Sequence, residues 1–93
     1  LIYRSNMQAR HILVETEDRA NQLYTQIVEG ADFGLLAIAN SKCPSGQSGG
    51  NLGEFGPGQM VKPFEDAVQS LGVGNYSKPV QTQFGWHLIQ RTG

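Results

Sequence analysis

Three side chains capable of catalytic or metal-binding chemistry lie far apart in the sequence: two imidazoles and one thiol, at His11, Cys43 and His87. Such groups can ligate zinc, although zinc sites usually contain closely spaced ligand pairs, which this chain lacks. A thiol next to an imidazole can also act as a nucleophile, but the local signatures of cysteine hydrolases are absent. The third interpretation is structural, with two strand histidines that share hydrogen bonds in a core. The residue types alone leave all three open.

The glycine-rich stretch 46–58 suggests a different chemistry, because loops of this composition can surround a phosphate group. No Lys-Ser or Lys-Thr pair follows its first glycines, so the phosphate-binding loop of nucleotide hydrolases is absent. The run that begins at Gly56 starts like a dinucleotide-binding fingerprint but lacks the third glycine. Residues 43–51 therefore indicate a loop that needs positive φ angles, residues 56–58 indicate a turn, and we expect no cofactor.

Large apolar side chains follow this loop and recur near the end of the chain: Leu52, Phe55, Met60, Phe64, Phe84 and Trp86. At helical or strand spacing such residues usually form a core. Met60 and Phe84, however, lie in turn-rich segments, where a large apolar side chain more often lines a pocket. An apolar pocket beside a few polar groups is typical of a site for a small ligand or a peptide.

The first half of the chain contains the elements that must position His11. Residues 9–14 alternate as in a β-strand, which places His11 on one of its faces. Thr16 is suited to cap a helix whose apolar residues recur at helical spacing as far as Gly30. A second helix is predicted to begin near Asp32, ahead of the glycine-rich loop.

The second half of the chain adds strands around a third helix. Residues 52–55 predict a short strand, and Pro63 suits the first turn of a helix. Strands at 79–82 and 86–91 are predicted to form a hairpin. This order of elements predicts an α+β domain, in which helices pack on a small, mostly antiparallel sheet.

Composition and charge exclude several classes of partner. Seven basic and eight acidic side chains leave a net charge of −1, which argues against a broad basic face for nucleic acid or anionic membranes. No apolar run approaches the roughly 20 residues that a membrane-spanning helix needs. The single cysteine rules out a disulfide within the chain. We therefore expect one globular domain that binds neither nucleic acid nor membrane.

Four sequence blocks, taken together, resemble the parvulins, a family of peptidyl-prolyl cis/trans isomerases. The blocks are RHILV at 10–14, SKCPS at 41–45 leading to GGNLGEF at 49–55, GQMVKPFE at 58–65 and QTQFGWHLI at 81–89. The likeness extends from Ala9 to Arg91. It implies a four-stranded antiparallel sheet surrounded by about four helices, and acceleration of rotation about X-Pro amide bonds by a non-covalent mechanism.

The resemblance also implies roles for individual residues. The catalytic hydrogen-bonding group matches His11, Cys43, Thr82 and His87. The substrate-binding positions match Leu52, Met60, Phe64, Gln83 and Phe84. No metal is implied, and the implied partners are proline-containing peptides and unfolded protein segments, bound by a monomer. A non-catalytic, chaperone-type peptide-binding domain is the alternative function.

One segment departs from the parvulins that recognise phosphorylated substrates. Those proteins carry a basic cluster after the first strand, whereas residues 15–19 of this chain are Glu-Thr-Glu-Asp-Arg. Three carboxylates would repel a phosphate group, so we predict no preference for phosphorylated Ser-Pro or Thr-Pro. Residues 1–6 are predicted to be a tag or linker before a single domain at 7–93. The resemblance favours a cytoplasmic location, with a periplasmic or extracytoplasmic place in a longer chain as the alternative.

Overall fold

Four antiparallel strands form one sheet, and the computed structural model describes it within residues 6–93. The elements, in chain order, are β1 (Met7–Val14), α1 (Glu17–Val28), α2 (Phe33–Asn40), a 3-10 helix (Pro44–Ser48), β2 (Asn51–Phe55), α3 (Lys62–Ser70), β3 (Val80–Thr82) and β4 (Gly85–Arg91). The strand order is β2-β1-β4-β3. This confirms the predicted α+β class, with three α-helices and one 3-10 helix around the sheet. Residues 1–5 of the predicted tag or linker lie outside the described residues.

The register of the two central strands brings the histidines together. In the antiparallel pair of β1 and β4, His11 lies opposite Ile89, and Leu13 lies opposite His87. His11 and His87 are therefore diagonal neighbours on the same face of the sheet, within reach of each other's side chains. The pairing of β1 with β4 therefore brings together two histidines that lie 76 positions apart in the sequence.

Each face of the sheet has its own apolar cluster. The first lies under α1 and α2 and consists of Ile12, Val14, Ala20, Leu23, Ile27, Phe33, Ala37 and Leu88. The second includes residues of α3 and consists of Met7, Ala9, Phe55, Phe64, Val68 and Ile89. The histidines share the face of the second cluster, because strand alternation places His11 with Ala9 and His87 with Ile89.

The helix starts predicted from the sequence are confirmed. The Thr16 hydroxyl accepts a hydrogen bond from the amide of Arg19, and the Asp32 carboxylate accepts one from the amide of Leu35. Each cap satisfies a backbone donor that the first turn of its helix leaves free. None of the helices within residues 6–93 is long and apolar enough to cross a membrane.

The glycine-rich loop is held against β1 at Gly50. The amide of His11 donates to the Gly50 carbonyl at 2.9 Å, and the Gly50 amide donates to the Ser45 carbonyl at 2.8 Å. Gly50 has a φ of +85°, and a Cβ atom there would overlap the carbonyl oxygen of His11. Only glycine allows the loop to approach the strand this closely, so Gly50 fixes the position of the 3-10 helix relative to His11.

Candidate active site

Two buried imidazoles form the centre of the site. Nδ1 of His11 and Nδ1 of His87 lie 2.9 Å apart, and only 5% and 3% of the two residues are exposed. The rings are stacked with centroids 5.1 Å apart. Phe64 of α3 presents its ring edge-on to both, at 5.5 Å from His11 and 5.4 Å from His87. The pair is therefore fixed both by its own hydrogen bond and by packing under α3.

Hydrogen bonds extend this pair in both directions. Nε2 of His11 lies 3.2 Å from Oγ of Ser45, and the Ser45 hydroxyl donates to Sγ of Cys43 at 3.2 Å. On the other side, Nε2 of His87 lies 2.7 Å from Oγ1 of Thr82. We call this series of five side chains, Cys43, Ser45, His11, His87 and Thr82, the polar chain.

Burial keeps the histidines of the polar chain neutral. Desolvation, together with the smaller effect of the neighbouring His87, lowers the pKa of His11 from 6.5 to about 4. Desolvation also lowers the pKa of His87 to about 4. At pH 7 each ring therefore carries one proton, so each offers one hydrogen-bond donor and one acceptor.

A cavity of about 460 Å³ lies beside the polar chain. Its apolar lining consists of Leu13, Pro44, Leu52, Met60, Val61, Phe64 and Phe84. Its polar lining consists of His11, Lys42, Cys43, Gln59 and His87. With both histidines neutral, Lys42 is the one charged side chain among the lining residues that the structure describes. The site therefore combines a mostly apolar space with neutral hydrogen-bonding groups.

Most of the residues predicted for the site from the sequence are brought together by the fold. His11, Cys43 and His87 line the cavity, and so do four of the five predicted pocket residues: Leu52, Met60, Phe64 and Phe84. Thr82 does not line the cavity itself, but its Oγ1 hydrogen-bonds two residues that do, Nε2 of His87 and the amide of Phe84. Gln83 does not line the cavity, because it lies in the turn between β3 and β4, where its side chain is exposed.

Sequence reasoning missed several residues of the site, above all Ser45. Its hydroxyl joins the thiol to the imidazoles, yet the sequence shows it only as a polar residue two positions after Cys43. Lys42, Gln59 and Val61 also line the cavity without any chemical signal in their spacing. Their positions depend on how the loops fold back over the sheet.

Two further contacts hold the walls of the cavity. The Ser41 hydroxyl accepts hydrogen bonds from the amides of Leu13 at 3.1 Å and Cys43 at 3.3 Å, which ties the start of the 3-10 helix to β1. The buried carboxylate of Glu65 accepts the amide of Gly58 at 2.7 Å. This bond anchors the turn that precedes Met60 to α3, so the cavity is bounded by fixed elements.

Comparison with known proteins matches this architecture. The family described as "Rotamase: PPIC-type PPIase domain" matches residues 4–93. The foldase protein PrsA of Geobacillus sp. (strain WCH70) is 47% identical over 91 residues, which are 97% of this chain and 33% of that protein. This chain therefore spans about a third of the length of the curated relatives it matches.

Solved structures agree. The peptidylprolyl isomerase PrsA from Bacillus anthracis has a TM-score of 0.96 and 39% identity, covering 98% of this chain and 42% of that one. NmPin, the parvulin of Nitrosopumilus maritimus, has a TM-score of 0.85 and 40% identity, covering 99% of this chain and 100% of that one. The chain therefore belongs to the PPIC-type peptidyl-prolyl isomerase domains, the parvulins, as its sequence blocks predict.

Proposed function

We propose that this domain accelerates rotation about X-Pro bonds in peptides and unfolded protein segments, and that no covalent intermediate forms. The observation that carries the proposal is the mostly apolar cavity next to the neutral polar chain. Rotation about a peptide bond costs about 18–20 kcal/mol because resonance must be broken. Twisting the bond localises the nitrogen lone pair and makes the amide less polar. An apolar cavity stabilises that twisted state relative to the planar one.

The lining suggests a role for each wall. Leu52, Met60 and Phe64 surround the proline ring, and Phe84 borders the mouth, since 61% of this side chain is exposed. Cys43 is the end of the polar chain that borders the cavity, so it donates or accepts a hydrogen bond at the twisting amide. His11 and His87 hold the thiol side of the cavity in place through Ser45.

The deciding experiment is NMR exchange spectroscopy on short Xaa-Pro peptides with catalytic amounts of the protein. We expect faster cis/trans exchange, and a kcat/KM that falls roughly tenfold in Met60→Ala, since the apolar wall is shortened by three heavy atoms. Leu35→Ala is the matched control, because it shortens an apolar side chain that is exposed on α2 and does not line the cavity. Peptide binding without faster exchange would instead identify a non-catalytic binding domain.

The non-covalent step has a separate test. After incubation with the peptide substrate, the intact protein is expected to keep its mass. An increase in mass that maps to Cys43 as a peptide-derived acyl group would contradict the proposal, because it would require the thiol to attack the amide carbonyl.

We also propose that the domain works as a part of a longer chain. The same fold makes up the whole of NmPin but only 33% of the Geobacillus foldase, and the higher identity to the foldase supports the second arrangement. An antibody against the domain, applied to fractionated source cells, tests this. We expect a band well above 10.1 kDa in the extracytoplasmic fraction. A band at that mass in the cytoplasmic fraction would restore the prediction made from the sequence.

A further inference from the structure

Lys42 lies between the cavity beside the polar chain and a second, smaller cavity. The second cavity has a volume of about 270 Å³, and its lining includes Glu15, Arg19, Asn40 and Lys42. Lys42 is the one described residue that lines both cavities. Its backbone is fixed there, because the amide of Lys42 donates to the Leu13 carbonyl at 2.7 Å. A substrate side chain that leaves the first cavity past Lys42 therefore reaches the second.

The second cavity contains two cations that no carboxylate neutralises. The guanidinium of Arg19 donates to the amide oxygens of Gln22 at 2.9 Å and of Asn40 at 2.6 Å, and both acceptors are uncharged. The ammonium of Lys42 has no ion pair or hydrogen bond with any of residues 6–93. Glu15 is the one acidic residue in the described lining. Two cations and one carboxylate leave a net charge of +1, which complements a ligand group with a single negative charge.

The substrate residue nearest to Lys42 is the one before proline. Under the proposed function, the proline ring occupies the apolar part of the first cavity and the twisting amide lies at Cys43. That amide joins the proline nitrogen to the carbonyl of the preceding residue, and Lys42 directly precedes Cys43 in the sequence. Adjacent Cα atoms are no more than about 3.8 Å apart, so the side chain before proline starts close to the thiol and extends toward Lys42.

We propose that Lys42 determines specificity at the position before proline and favours an acidic side chain there. This inference rests on the proposed function and adds a substrate class to it, peptides with Glu-Pro or Asp-Pro. A carboxylate that extends past Lys42 meets the two cations of the second cavity, whereas a lysine at that position is repelled by them. A phosphate group would bring a second negative charge next to Glu15, so the preference does not extend to phosphorylated residues.

The test compares the peptides Ala-Glu-Pro-Phe, Ala-Gln-Pro-Phe and Ala-Lys-Pro-Phe by NMR exchange spectroscopy, with both ends blocked so that only the second side chain differs in charge. Because Lys42 is exposed, solvent weakens the attraction, and we expect kcat/KM to be roughly threefold higher for the Glu peptide than for the Gln peptide. The difference should lie in KM, since the carboxylate binds equally well in the planar and twisted states. The Lys peptide should be the slowest, and added salt should reduce both differences.

Variants of Lys42 assign the preference to this side chain. Lys42→Met keeps the length and removes the charge, so the ratio of Glu to Gln peptide should fall to about one. Lys42→Glu should reverse the order and make the Lys peptide the fastest. Lys78→Met is the matched control, because Lys78 is also exposed but lines neither cavity, and it should keep the wild-type ratio. Equal rates for the three peptides in the wild type, or an unchanged ratio in Lys42→Met, would overturn the inference.

Peptide affinity separates this inference from the proposed function. The three peptides are titrated into the full chain, and binding is followed by the NMR shifts of its backbone amides. Tighter binding of the Glu peptide, lost in Lys42→Met, would support the inference even if no peptide exchanged faster, and only the proposed isomerase activity would then fail. Faster exchange of all three peptides with equal affinities would support the activity and overturn the role of Lys42.

Discussion

Lowering the pH from 7 to 5 is expected to destabilise the fold, because the buried histidines must stay neutral. In the unfolded chain their pKa is 6.5, whereas burial lowers the pKa of His11 and of His87 to about 4 in the folded protein. Between these values the unfolded state binds more protons than the folded state, so the free energy of unfolding falls as the pH falls. The stabilisation is present above pH 6.5 and is lost as the pH falls toward 4.

The size of the effect follows from the same two pKa values. Between pH 7 and pH 5 each histidine lowers the free energy of unfolding by about 2 kcal/mol, which gives about 4 kcal/mol for the pair. Domains of this size are stable by about 5–15 kcal/mol in total. In domains of 60–100 residues the melting temperature changes by about 4–8 °C per kcal/mol, so we expect the melting temperature to fall by at least about 15 °C.

Thermal and urea unfolding at pH 7, 6 and 5 measure this directly. Reference carboxylates titrate near pH 4, so most of the change above pH 5 belongs to histidine, and the chain contains only two. His87→Phe, which removes one titrating ring, should show about half of the wild-type slope. A melting temperature that is the same at pH 7 and pH 5, or ring pKa values near 6.5 by NMR, would refute the reasoning.

Three further predictions concern the cavity wall, the loop and the substrate. Phe64→Ala should lower the free energy of unfolding, measured in urea, by about 3–5 kcal/mol, since only 3% of Phe64 is exposed. Phe64→Leu should stay folded but have a lower kcat/KM than the wild type. A Phe64→Leu protein that is less stable than Phe64→Ala would contradict this. Gly50→Ala should unfold the domain at a lower urea concentration than Gly53→Ala, because an added Cβ at Gly53, also at positive φ, meets no atom within 4 Å. In exchange assays a phosphorylated Ser-Pro peptide should react no faster than its unmodified twin, because the acidic residues of segment 15–19 are exposed; a faster phosphopeptide would refute this.

The sequence predicted the regular elements well because their signals are local. The caps at Thr16 and Asp32 and the alternation in β1 each depend on residues a few positions apart. The 3-10 helix was predicted as a loop, because Pro44–Ser48 has no apolar period and is fixed instead by distant contacts. One of these is at Gly46, where an added Cβ would lie 2.9 Å from the Ala37 carbonyl oxygen. Such a contact has no sequence signal.

The site was predictable in type but not in geometry. Resemblance to a family identified the histidines and most of the apolar wall, whereas composition and spacing left their chemistry open. The contacts of Ser45 depend on where the 3-10 helix places its hydroxyl relative to His11. The absence of Gln83 from the cavity lining depends on how the turn between β3 and β4 exposes its side chain. Both depend on tertiary placement, which periodicity along one chain does not encode.

The geometry bears on each of the three kinds of chemistry that the histidines and the thiol first suggested. Each ring nitrogen of the pair already has a hydrogen-bonding partner, because the Nδ1 atoms face each other and each Nε2 faces a hydroxyl, so a metal ion would have to displace the bond at every nitrogen that ligated it. A thiol nucleophile needs a base, but Ser45 separates Cys43 from His11, and an imidazole with a pKa of about 4 is a poor base at pH 7. These contacts favour the structural interpretation, in which two strand histidines share hydrogen bonds in a core. That core borders the cavity, and its hydrogen bonds reach Cys43 in the cavity lining through Ser45.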